Sequence, residues 1–311
     1  MTSAPVTISA SPADARRVLG LLSPAATITA AVLLAAFVAL FFRWFLVQHR
    51  HSSRSLEDWG HAYIIPLISI YLIRLRQADL AKLTPSTFWA GLAPMLLGIM
   101  TYFYCVVAVK NHMLQGFAMV LTVYGMLLLI LGPSIVRLLF VPIAYLIFGI
   151  TISEAIMNNI TFRLQLVASE MSWVTLSFFG PLFGFSVEAE GNSITLITSE
   201  GKMHPLTIAE ACAGLRMLIA FLALGVAVAL VAAREWWQRI ALVLLAGPVA
   251  LLMNAVRVTV LGLLTLVNPD LAAGEAHTLI GTLLLVPALG MYMGVVWILN
   301  RLISEPSGAT A

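Results

Sequence analysis

The chain has 311 residues, of which 61% are hydrophobic and only 10% charged, against about a quarter charged in an ordinary soluble domain. That composition excludes a water-soluble globular fold and predicts an all-α polytopic membrane protein. A formal net charge of +3, with basic residues scattered at the ends of apolar runs, gives no footprint for nucleic acid. Two cysteines, Cys105 and Cys212, make neither a disulfide framework nor a four-ligand zinc pattern, so no metal or other cofactor is expected.

A helix needs about 20 apolar residues to cross the hydrocarbon core, and eight segments meet or approach that length. They fall near residues 24–47, 61–74, 87–109, 114–131, 135–152, 209–232, 239–266 and 277–300. The start of the chain lacks the basic region, short apolar core and small-residue cleavage site of a secretory signal, so the first segment is expected to stay as an anchor behind a cytoplasmic tail of residues 1–22. Arg16, Arg17, Arg74, Arg76, Lys82, Arg137, Arg234, Arg239 and Arg301 all fall on one side if the eight spans alternate with both termini inside. Arg50, Arg54 and Lys110 fall on the other side, a smaller set.

Residues 153–208 do not fit a simple turn between spans. Glu154, Arg163 and Glu170 are charged and Pro181 and Gly184 interrupt the pattern, which favours an interfacial helix followed by a partly inserted or re-entrant piece over a ninth full span. From Phe185 to Lys202 polar and apolar residues alternate around Gly191-Asn192, the pattern of a small extracytoplasmic β-hairpin. Neither an internal repeat nor a low-complexity linker divides the chain, so residues 1–311 are expected to form one integral membrane domain.

The stretch Glu210-Ala-Cys-Ala-Gly-Leu-Arg216 opens the sixth apolar run with a thiol and a guanidinium one helical turn apart. A helix N-terminus and a neighbouring cation both favour the thiolate, the nucleophilic form of cysteine. With a rise of about 1.5 Å per residue, Cys212 stands about 33 Å from Arg234, at the outer boundary of the membrane. Arg257, in Asn254-Ala-Val-Arg257, stands about 27 Å from Arg239 on the next span, and His277 opens the eighth after the loop Asn268-Pro-Asp270. All three share one depth.

Taken singly, each residue has a plain structural reading. Cys212 would be a small packing residue, Arg257 a cation reaching for headgroups, and His277 a polar residue at a helix start. Their coincidence in depth sets acyl-transfer chemistry level with those readings: Cys212 as nucleophile, His277 as acid/base, Arg257 as the cation for a developing oxyanion. Arg216, Asn254 and Glu210 are auxiliary candidates, and Cys105 reads as packing.

These residues resemble the motifs of the exosortase/archaeosortase transpeptidases. Glu210-Ala-Cys-Ala-Gly-Leu-Arg216 looks like the cysteine motif of that family, Asn254-Ala-Val-Arg257 its arginine motif, and Ala276-His277 its histidine position. Trp59-Gly-His-Ala-Tyr-Ile-Ile-Pro66 with Tyr71-Leu-Ile-Arg74 is similar to a weaker amino-terminal signature. Ala213 departs from the serine common there.

The resemblance implies a multi-pass enzyme of the inner, or cytoplasmic, membrane with its site on the extracytoplasmic face. Its expected substrates are membrane-anchored proteins bearing a carboxy-terminal sorting signal, namely a short motif such as Pro-Glu-Pro, a transmembrane helix and a basic tail. The acyl group would pass from Cys212 to an envelope nucleophile or to water. Two other classes compete. A transporter or lipid-linked glycan-handling protein would use Arg216 and Arg257 to grip an anionic group, and a non-catalytic assembly factor would need none of the three residues.

Overall fold

A computed structural model of the chain describes residues 24–54, 59–207, 214–233, 235–268, 279 and 283–303. These fold into helices α1 (Pro24–Arg54), α2 (His61–Leu75), α3 (Leu92–Tyr104), α4 (His112–Tyr145), α5 (Glu154–Phe183), α6 (Gly214–Ala232), α7 (Trp236–Val267) and α8 (Leu285–Ile303). Between α5 and α6 lie strands β1 (Phe185–Glu190), β2 (Ser193–Thr198) and β3 (Met203–Thr207). Among the described residues, five helical stretches are long and apolar enough to cross a membrane: Thr27–Arg54, Trp89–Val109, His112–Gly149, Asn159–Phe183 and Trp236–Val267. Three shorter apolar helices accompany them, His61–Leu75, Leu218–Ala232 and Val286–Leu299.

The chain forms two compact units. Residues up to His51 together with Ile65–Thr151 make one, and Ser52–Ile64 with the residues from Ile152 onward make the other.

In the first unit, α4 is not a straight rod. Gly132 takes φ 81° and ψ 170°, a backbone shape closed to residues with a Cβ, and Pro133 follows it. The rings of Tyr124 and Phe140 then stand 6.2 Å apart, whereas sixteen residues of straight helix would separate them by about 24 Å. The two limbs therefore fold back on each other. This reversal accounts for the separate apolar runs 114–131 and 135–152. Phe41 and Trp44 of α1 pack with Tyr102 of α3 and with Ala118, Met119, Leu139 and Ile143 from the two limbs of α4. Asn111 caps α4, its side-chain oxygen accepting from Leu114 N at 3.1 Å.

In the second unit, α5 runs unbroken for 30 residues through Pro181 and stops at Gly184, whose φ of 70° ends it. The expected division into an interfacial helix and a re-entrant piece is corrected by this continuity. Glu170 does not break the helix because exposed charge on one face is compatible with apolar and small residues on the other. The expected hairpin is present and larger than predicted: β1 and β2 pair antiparallel from Phe185–Thr198 to Glu190–Ser193, and β3 adds antiparallel to β2, with Pro205 opposite Thr195. Alternation puts Phe185, Ile194, Leu196 and Leu206 on one face, buried with Leu176 of α5 and with Val258 and Leu261 of α7. Fully burying a side chain such as Ile194 or Leu196 contributes about 1.5–3 kcal/mol, so this face fixes the sheet to the carboxy-terminal half of α7.

The helices α6 and α7 form an antiparallel pair. A capping box on Glu235 and Gln238 starts α7, the Gln238 side-chain oxygen accepting from Glu235 N at 3.0 Å. Small residues bring the two helices together, Ala229 of α6 and Ala246 and Ala250 of α7 lying in one buried cluster with Tyr292 of α8.

Candidate functional site

The register of α6 against α7 can be followed from its closed end to its open end. Arg239 Nε donates to the Ala233 carbonyl at 3.3 Å beside the connecting turn, and Gly225 lies against Ala246. Eleven residues from Gly225 toward the start of α6 is Gly214, and eleven from Ala246 toward the end of α7 is Arg257. Both steps span about 16 Å. Gly214, two residues after Cys212 in sequence, therefore stands level with Arg257.

Arg257 is buried, 8% exposed, and Asn254 one turn before it is 3% exposed. At i and i+3 they share one face of α7, flanked by Met253, Ala255, Val258 and Leu261, all buried. Neither residue is without a partner. A guanidinium held among apolar side chains is costly and cannot be neutralised by losing its proton, so such a residue faces an interior pathway or site rather than lipid.

Ser172 and Thr259 are polar neighbours of this turn that the sequence pattern did not single out. Ser172 Oγ of α5 and Thr259 Oγ1 both donate to the Ala255 carbonyl, at 3.3 and 2.8 Å. The signal was present in α5 as Gln165, Ser169 and Ser172, spaced i, i+4, i+7 and all buried. It was hidden by the charged residues Arg163, just before them, and Glu170, between Ser169 and Ser172.

Of the other sequence candidates, Glu210, Cys212 and His277 lie outside the described residues. Arg216 falls in the first turn of α6. Trp59 and His61 belong to the same unit as α5 to α8, with their rings 5.8 Å apart and Trp59 buried. Cys105 is a free thiol, buried in the other unit. Among the described residues, no group of three or more His, Cys, Asp or Glu side chains is placed to hold a metal ion.

Chemically, the described part of the site offers a fixed cation in a poorly solvated setting. Such a group stabilises negative charge that develops beside it, without the reorganisation water would need. The family model described as transmembrane exosortase matches residues 49–294, a range that contains α2 to α7, the sheet and every candidate residue named above. No curated protein and no solved structure matches the chain.

Proposed function

The chain belongs to the transmembrane exosortase family, and from that premise we propose that it is a membrane cysteine transpeptidase or protease acting on carboxy-terminal sorting signals. In this reading the Cys212 thiolate attacks the carbonyl of the scissile peptide bond, giving a tetrahedral oxyanion that Arg257 stabilises. Collapse of that intermediate breaks the C–N bond, His277 gives the leaving amine its proton, and the acyl group stays on sulfur as a thioester. An envelope nucleophile or water, deprotonated by His277, then releases it.

The observation that carries the proposal is the buried Arg257 at the height of Gly214, the first residue of α6. It brings the arginine of one motif level with the helix that the cysteine motif opens, as a three-helix site requires. The substrate is proposed to end in a short motif, a transmembrane helix and a basic tail, with the motif meeting the site on the extracytoplasmic face of the inner membrane. Asn254, Glu210 and Arg216 are proposed as auxiliary residues.

The test is processing of a coexpressed reporter ending in Pro-Glu-Pro, a transmembrane helix and a basic cluster. Cys212→Ala is expected to abolish processing while the protein still accumulates in the membrane. Normal processing by that variant would sink the proposal. The same buried Arg257 also suits a transporter or lipid-linked glycan-handling protein, which would tolerate loss of Cys212 and fail on loss of Arg257.

A further inference from the structure

The Ala255 carbonyl is a crowded acceptor. As part of a regular helix it faces the Thr259 N–H one turn on, and it also accepts the Thr259 hydroxyl at 2.8 Å and the Ser172 hydroxyl at 3.3 Å. Both hydroxyls are buried. A hydroxyl bonding back to the carbonyl four residues earlier biases the local bend of its helix. A second hydroxyl arriving from another helix fixes that bend relative to α5. The turn so held contains Arg257, two residues after Ala255 and two before Thr259.

We propose that Ser172 and Thr259 are positioning residues, clamping the Ala255 carbonyl so that α5 sets the direction in which Arg257 leaves α7. The inference rests on the catalytic reading of Arg257 given above. Interhelical hydroxyl bonds contribute little to the stability of membrane bundles, so the clamp acts mainly on the geometry of one turn rather than on whether the bundle forms. Displacing a catalytic group by about 1 Å is enough to lower a rate by up to about a hundredfold.

The experiment uses the full chain in liposomes with the Pro-Glu-Pro reporter, and compares Ser172→Ala, Thr259→Val and Thr259→Ser, each alone and combined with Arg257→Lys. Thr259→Val keeps the shape and removes the hydroxyl, whereas Thr259→Ser keeps the hydroxyl. The expected result is a fall in kcat of about tenfold or more for Ser172→Ala and Thr259→Val with KM unchanged, and near-normal kcat for Thr259→Ser. In the Arg257→Lys background the same two substitutions are expected to add nothing, because they act through the arginine.

Unchanged kcat in Thr259→Val and Ser172→Ala, or losses that multiply with that of Arg257→Lys, would overturn the clamp alone. A Cys212→Ala protein that processes the reporter normally would overturn the reading of the site, and the clamp with it.

Discussion

Tyr292 of α8 donates its hydroxyl to the Leu242 carbonyl of α7 at 2.9 Å, and both residues are fully buried. The ring lies beside Gly225 of α6, where an added Cβ would come within 3.0 Å of the Tyr292 oxygen and 2.8 Å of Ala246 Cβ. Three helices thus meet at one hydroxyl. Tyr292→Phe is expected to cost about 1 kcal/mol, and Gly225→Val about 1–3 kcal/mol through overpacking. Thermal unfolding in detergent, followed by tryptophan fluorescence, checks both; a Gly225→Val protein as stable as wild type would contradict the close packing.

Arg257→Lys keeps the charge and removes the planar fork. It is expected to reduce kcat by about a hundredfold, the scale of losing a donor to a developing oxyanion. Cys105→Ala should process the reporter normally, since that thiol is buried in the other unit. Rate measurements on both variants check this; a Cys105→Ala loss as large as that expected of Cys212→Ala would remove the distinction between the two cysteines.

Gly132→Ala should destabilise the reversal in α4 by about 1–3 kcal/mol, because φ 81° and ψ 170° are closed to alanine and the new Cβ would collide with Ser86. The reversal itself is checked by cysteines placed at Tyr124 and Phe140 in a Cys105→Ala background. A short bifunctional thiol reagent is expected to join them. Failure to crosslink would indicate a straight helix.

Asp79 and Lys82 form an exposed pair at 2.8 Å beyond α2. The hydrogen bond from Lys82, and then its charge, hold the Asp79 carboxyl below its ordinary value of 3.8. A depressed folded-state value means the pair's stabilisation is present above the unfolded value and is lost as pH falls through the folded one. The window is therefore below about pH 4, and screening by water and salt keeps the effect small. Lys82→Gln is expected to move the Asp79 titration upward, as read by carboxyl-carbon chemical shifts; a midpoint that stays put would remove Lys82 as the cause.

The apolar runs of α1, α3 and α7 were legible because long stretches without charge have few other fates. The pair of runs flanking Gly132-Pro133 was legible too, since that dipeptide marks where a helix must break. The continuity of α5 was not. Pro181 sits in its last turn and is tolerated there, and Glu170 is exposed while Ser169 and Ser172 on either side are buried. A window that averages over such a helix sees mixed polarity, whereas packing sees two faces. Strand β3 was missed because Pro205 reads against a strand unless the strand is known to be an edge.

The level of Arg257 was derivable from a rise per residue, but its burial was not. Counting residues gives height along the helix and nothing about which neighbour covers each face. The hydroxyls of Ser172 and Thr259 were invisible for the same reason: one of them arrives from a helix whose register against α7 no local pattern encodes.

Pro205 has one more effect. It lies exposed on β3, the outer strand of a sheet ordered β1-β2-β3, and it carries no N–H with which to extend a ladder. Another chain that tried to add a strand there would find a donor missing in the middle of the edge. The β3 border is thereby a poorer template for an added strand than an edge with every donor in place.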